Sequence, residues 1–103
     1  INPAYGGCVA TGAGDTLIRF LPAKHAVTLM GEGYSPEEAA EKAVAEVEPW
    51  CPDEQLVIIC LSAAGEPGMA QNEGTQQSYA YRSSKCPEGA IRANKTHPRG
   101  TCV

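Results

Sequence analysis

CVATGAGDTLIRFLP, residues 8–22, is the stretch of sequence that decides the fold. The apolar run at residues 7–11 predicts a short buried strand, and the small residues after it predict a turn that opens a helix. Glycine lets a ligand approach the backbone closely, and free N–H groups at a helix start favour negative charge. The turn is therefore either a site for an anion or a developing oxyanion, or a purely structural connection.

Two helices are predicted after this turn. The first begins at Gly14 or Asp15 and runs to about Met30, with a kink near Ile18 because Pro22 removes one backbone hydrogen bond. The second begins at residues 35–38, Ser-Pro-Glu-Glu, which have the spacing of a capping box. Its apolar stripe is formed by Ala39, Ala40, Ala43, Val44 and Val47.

The clearest strand is predicted at residues 55–62, which are apolar on both faces and therefore belong in the centre of a covered sheet. Further strands are expected from residue 69 and over residues 76–83, and the last twenty residues are expected to be irregular. These elements predict an α/β fold, with two helices packed on one face of a sheet that needs further strands from elsewhere.

Composition limits the classes of partner. A chain of 103 residues with 43% hydrophobic residues is long enough for one small domain and too apolar for disorder. Its net charge of −4 argues against nucleic acid or an anionic membrane as a partner. No apolar run approaches the ~20 residues of a membrane span.

Five cysteines suggest an oxidising compartment, the alternative being a cytosolic chain with scattered buried thiols. Cys86 and Cys102 lie in a polar tail with little to pack against, so a disulfide between them is predicted. Cys51 and Cys60 form a second predicted pair, which joins a helix end to the next strand. Cys8 is then left over, as a buried thiol or as a partner for another chain.

The other candidate residues are few. Residues 94–96, Asn-Lys-Thr, form an N-glycosylation sequon at Asn94, which with the cysteines points to a secreted or lysosomal glycoprotein. His25 and His97 are interpreted as surface or helix-packing residues. Ser62 follows a strand without the Gly-x-Ser-x-Gly motif, and no cysteines have C-x-x-C spacing, so a nucleophile elbow and a zinc site are not expected.

Thr-Gly-x-Gly-Asp at residues 11–15, followed by Arg-Phe-Leu-Pro at residues 19–22, resembles the glycosylasparaginases of the type 2 asparaginase family. These N-terminal-nucleophile hydrolases are made as a precursor that cuts itself into an α and a β subunit. The resemblance covers about residues 5–103, with the order and spacing of the family also at residues 31–36, 57–60 and 68–70. The related isoaspartyl peptidases and asparaginases share the Thr-Gly turn but usually lack Arg-Phe-Leu-Pro.

The resemblance implies that residues 1–103 are a single partial domain, the C-terminal portion of a β subunit, within a four-layer αββα sandwich. In the family the β subunit opens with a nucleophilic Thr, followed by a segment whose Arg and Asp grip the substrate. Residue 1 here is Ile, so we expect a segment outside this chain to supply the nucleophile. The implied partners are an α subunit and the N-terminal part of the β subunit, in a dimer of heterodimers.

The implied reaction is hydrolysis of the β-amide of N-glycosylated asparagine, a small-molecule substrate, to give aspartate and an amino-sugar without a metal or organic cofactor. The resemblance places Thr11 and Gly12 as the donors of the oxyanion hole. The disulfides depart from the family, in which the usual partner of Cys102 matches Gln71 and that of Cys60 matches Ala40. The alternatives are an isoaspartyl peptidase or asparaginase, and a non-catalytic secreted binding protein that keeps part of the fold.

Overall fold

The computed structural model describes residues 1–73, 75 and 78–92. The predictions at Asn94, His97 and Cys102 lie outside the described residues. In chain order the elements are β1 (Gly6–Gly12), α1 (Gly14–Phe20), α2 (Pro22–Gly31), α3 (Pro36–Val47), a 3-10 turn (Glu48–Trp50), β2 (Leu56–Ser62), β3 (Pro67–Gln71), β4 (Tyr79–Ser83) and β5 (Cys86–Arg92).

The first predicted helix is two helices, so the expected kink near Ile18 is wrong. Leu21 separates α1 from α2 with left-handed backbone angles, φ 49° and ψ 52°. The residue before a proline is driven out of the α region, and Pro22 then starts α2, where its missing N–H costs nothing. A left-handed Leu costs about 1–2 kcal/mol, which the packing of α2 must offset.

The described part of the chain contains a three-stranded antiparallel sheet in the order β1-β2-β3. The predicted central position of the apolar strand is confirmed, because β2 lies between the other two. Side chains of a strand alternate between faces. Leu56, Ile58 and Cys60 therefore point to the helices and are at most 2% exposed, while the intervening residues point to the opposite face.

The helices α2 and α3 pack on one face of this sheet, as predicted. The buried cluster between them and β2 includes Ala26, Leu29, Met30, Ala39, Ala40, Ala43, Val44 and Val47. The predicted capping box is confirmed, since Glu38 N donates to Ser35 Oγ and Ser35 N donates to the Glu38 carboxylate. Gly68 of β3 lies against the start of α3, where a Cβ would collide with the backbone of Pro36 and Glu37.

The packing of helices on a sheet confirms the predicted fold class, α/β.

The opposite face of the sheet is only partly covered by the described residues. Val9 is 65% exposed and Leu61 is 51% exposed, although both belong to strands whose helix side is buried. Trp50 is 69% exposed and stacks on Phe20 with ring centroids 6.3 Å apart. No helix among the described residues has the length and apolar character needed to cross a bilayer.

A second sheet pairs β4 with β5 as an antiparallel hairpin. The predicted strand at residues 76–83 is found from Tyr79, but the expectation of irregular structure is wrong for residues 86–92. Pro87 and Gly89 weaken the strand pattern in the sequence. Edge strands tolerate both residues, since one side of the strand needs no ladder hydrogen bonds.

The predicted Cys51–Cys60 disulfide is wrong, because both thiols are free. Cys51 Sγ donates to the carbonyl of Val47, the last residue of α3. Cys60 instead lies opposite Cys8, the cysteine left out of both predicted disulfides, with the two sulfurs 2.7 Å apart. Cys86 is buried and disulfide-bonded. Its predicted partner, Cys102, is outside the described residues.

Candidate active site

The predicted site residues Thr11 and Gly12 are the last two residues of β1. Both are exposed, and the pairing of β1 with β2 sets Thr11 opposite Val57 and Gly12 opposite Leu56. Thr11 points away from the helices because Ala10 packs against the helix-side cluster and neighbouring residues of a strand alternate. The hydroxyl and the Gly12 backbone are thus presented together at the end of the strand.

The hydrogen-bonding alternation of β2 shows where the Gly12 N–H is directed. Leu56 N–H donates to Asn72 Oδ1 and Leu56 C=O accepts from Asn72 N–H, so both groups face β3. In an antiparallel pair the hydrogen-bonded and non-hydrogen-bonded positions alternate. The Gly12–Leu56 pair is therefore non-hydrogen-bonded, and the Gly12 N–H points away from β2. It is directed to the open edge of the described sheet, where a ligand can accept from it.

Glycine is required at position 12 for two reasons. Its φ of +156° is one that residues with a side chain rarely adopt. A Cβ there would also collide with the Gln55 carbonyl oxygen on the neighbouring segment. The end of β1 and the start of β2 can approach this closely only because no side chain stands between them.

Thr11 and Gly12 line an open-sided cleft of about 410 Å³. Its other lining residues are Ala13, Glu54, Gln55 and Val57. Glu54 and Gln55, which no sequence motif marks, form the part of the cleft wall that lies across from the end of β1. In the described part of the chain, no three His, Cys, Asp or Glu side chains are grouped to hold a metal ion.

The wall of the cleft is fixed by a buried polar network. Thr16, 7% exposed, donates from Oγ1 to the Glu54 carboxylate over 2.9 Å. Asn72, 3% exposed, donates to the Glu54 carbonyl and accepts from Leu56 N–H over 3.0 Å. Thr75 Oγ1 donates to the same Asn72 oxygen over 2.6 Å. The segment facing Gly12 is therefore tied both to α1 and to the end of β3.

The Arg-Phe-Leu-Pro sequence, residues 19–22, follows the cleft-lining residues of β1 in the chain. It spans the junction of α1 and α2, with Leu21 in the left-handed conformation and Pro22 beginning α2. The Arg19 guanidinium lies 5.3 Å from the centroid of the Phe20 ring. None of the four residues lines the cleft, so their contribution is to the chain path that follows the site.

Comparison with known proteins identifies the family of the chain. The sequence profile of the asparaginase family matches residues 2–89. The chain belongs to this family. It is 39% identical over 67 residues to N(4)-(beta-N-acetylglucosaminyl)-L-asparaginase of Rattus norvegicus and 40% identical over 68 residues to the protein of that name in Mus musculus. The resemblance to the glycosylasparaginases is thereby confirmed.

A second class of relative matches at similar identity. The chain is 42% identical over 60 residues to the Arabidopsis thaliana protein named "Probable isoaspartyl peptidase/L-asparaginase 3". These three matches cover 65%, 66% and 58% of the chain, and 19%, 20% and 17% of the relatives. The chain thus spans about a fifth of the length of the curated relatives that it matches. The assignment of Thr11 and Gly12 as oxyanion donors remains a prediction.

Proposed function

We propose that the complete protein is an amidohydrolase that cleaves the β-amide of N-glycosylated asparagine and releases aspartate and an amino-sugar. The observation that carries this proposal is the end of β1. There the exposed residues Thr11 and Gly12 line one cleft in a chain of the asparaginase family, and the Gly12 N–H is directed away from β2. The substrate class follows the names of the rat and mouse relatives.

In the proposed reaction, a Thr on a segment outside residues 1–103 attacks the side-chain carbonyl carbon of the substrate, with its own α-amine as the base. The carbonyl oxygen becomes an oxyanion, which accepts hydrogen bonds from Thr11 and from Gly12 N–H. Collapse of the intermediate breaks the C–N bond, and the amino-sugar leaves with a proton. Water then hydrolyses the resulting ester and releases aspartate.

A rigid cleft wall supports this assignment, because oxyanion donors accelerate a reaction only when they are held in place before it begins. Gly12 abuts the Gln55 carbonyl, and Asn72 fixes the backbone on either side of Gln55. The partly exposed sheet face, with Val9 and Leu61, supports the proposed four-layer sandwich. In it the remaining segments, an α subunit and the N-terminal part of the β subunit, cover this face, and two heterodimers associate.

A second candidate is an isoaspartyl peptidase or asparaginase, which uses the same attack on a β-aspartyl carbonyl but a different leaving amine. The 42% identical Arabidopsis relative favours it. Arg-Phe-Leu-Pro at residues 19–22 favours the glycosylated substrate, since the resemblance associates this motif with glycosylasparaginases. A non-catalytic secreted binding protein is the third candidate. For the first candidate, the glycosylasparaginase, we propose a lysosomal or secreted location and a glycan at Asn94.

The native complex is expected to contain a peptide that begins with Thr. Autoproteolysis of a precursor creates that residue, so the protein purified under non-denaturing conditions should yield a second N-terminus by Edman sequencing and a matching mass. A precursor variant with the mapped nucleophile changed to Ala serves as control, since it should stay uncut. A native protein with full hydrolase activity and no Thr N-terminus would overturn this part of the proposal.

A further inference from the structure

We propose that Cys8 and Cys60 form a reversible disulfide that bridges β1 and β2. The two cysteines are 52 positions apart in the chain but directly opposite in the strand register. Both thiols are free, and their sulfurs lie 2.7 Å apart. This pair is separate from the disulfide at Cys86.

The backbone geometry at this pair suits a bridge. The N–H and C=O of Leu56 face β3. Cys60 is four residues further along β2, so its N–H and C=O also face β3 and not β1. At the other end of β2, Ser62 N–H also donates towards β3, to Glu66. Cys8 and Cys60 are therefore a non-hydrogen-bonded pair, the kind with Cα atoms about 4.5 Å apart. Disulfides span Cα separations of about 4.4–6.8 Å, so the bridge needs no change of strand register.

Only one of the two thiols is accessible to solvent. Cys60 is 1% exposed beneath α2 and α3, whereas Cys8 is half-buried and can be reached from solvent. The hydrogen bond between Cys8 and Cys60 lowers the pKa of the Cys8 thiol, and this effect outweighs burial, which raises it. The same contact and burial raise the pKa of Cys60. Cys8 is thus the thiol that ionises and attacks first.

The reaction balances with a low-molecular-weight disulfide as the oxidant. The Cys8 thiolate attacks one sulfur of that disulfide, forms a mixed disulfide and releases one thiolate. The Cys60 sulfur, on losing its proton, then attacks Cys8 Sγ and releases the second thiolate. Two protein thiols and one small disulfide become one protein disulfide and two small thiols.

Formation of the bridge holds the strand that ends at Thr11 and Gly12 onto the centre of the sheet. The bridge closes a long loop, so it also restricts the unfolded chain. We expect the oxidised protein to unfold at a higher temperature than the reduced protein, and a reductant to reverse the shift. This inference concerns β1 and β2 alone and does not depend on the proposed activity.

The test is disulfide mapping of the complete protein. Reduced protein is incubated with oxidised glutathione, quenched with an alkylating reagent and digested without reduction. The expected product is one peptide pair joined through Cys8 and Cys60, with both thiols lost from alkylation together and recovered with dithiothreitol. A bridge already present in the untreated native protein gives the same support.

Two variants sharpen the test. Cys51→Ser should still form the bridge, because the Cys51 thiol donates to Val47 O and does not contact the pair. Cys8→Ser should leave Cys60 reduced, because the oxidant cannot reach a residue that is 1% exposed. Wild-type protein that remains alkylated at both positions after oxidation would overturn the proposal. Recovery of Cys8 joined to Cys51, or to glutathione alone, would overturn it equally.

Discussion

Replacing Thr11 by Ala is expected to lower kcat of the complete enzyme by ~10²–10³-fold, with a smaller effect on KM. The hydroxyl is one of two proposed donors to the oxyanion, an interaction that strengthens in the transition state. Because Thr11 is exposed at the end of β1, losing its side chain leaves the core unchanged. Steady-state kinetics on a glycosylated asparagine, alongside a thermal melt, measures both quantities.

Two further substitutions isolate the hydroxyl. Thr11→Ser keeps the oxygen and should be far milder than Thr11→Ala. Thr11→Val keeps the β-branched shape that suits a strand but lacks the hydroxyl, so its kcat should fall as far as that of the Ala variant. If Thr11→Ala folds normally and stays within about threefold of wild type, well short of the loss typical of an oxyanion donor, the turn is structural.

Replacing Asn72 by Ala is expected to lower the free energy of unfolding by roughly 2–4 kcal/mol, because three buried polar groups lose their partner at once. They are the Leu56 N–H, the Glu54 carbonyl and the Thr75 hydroxyl. Leaving a buried group unsatisfied costs about 1–3 kcal/mol, and partial access of water reduces the sum. Urea unfolding of the complete protein measures the change.

Thr75→Val provides the matched control for Asn72→Ala. It removes only the hydrogen bond from the Thr75 hydroxyl and keeps the shape of the side chain, so its loss should be about 1 kcal/mol or less. Asn72→Ala within about 0.5 kcal/mol of wild type would show that water satisfies the network and that Asn72 does not fix the cleft wall.

The predictable parts of the fold are those determined by residues that are close together in the sequence. The apolar run of β2, the capping box at Ser35 and the stripe of α3 each depend on neighbouring residues, and the structure confirms all three. The break between α1 and α2 was missed because Leu21 occupies a left-handed conformation that few non-glycine residues adopt. The strand β5 was not predicted because Pro87 and Gly89 interrupt the residue pattern that is typical of a strand.

The candidate site was only half predictable for a different reason. Thr11 and Gly12 carry a motif, but Glu54 and Gln55 come next to them through the antiparallel pairing of β1 with β2, which no local pattern specifies. The same register brings Cys8 to Cys60 and overturns the predicted Cys51–Cys60 bridge. Sequence spacing along an unpaired chain cannot supply contacts between residues so far apart.

The most direct test of the proposed function is a comparison of three substrates with the complete, natively purified protein. Aspartate release is measured from N-acetylglucosaminyl-asparagine, a β-aspartyl dipeptide and free asparagine under identical conditions. We expect the highest kcat/KM for the glycosylated asparagine. A higher value for the β-aspartyl dipeptide or for asparagine, or no aspartate from any of the three, would contradict the proposed function.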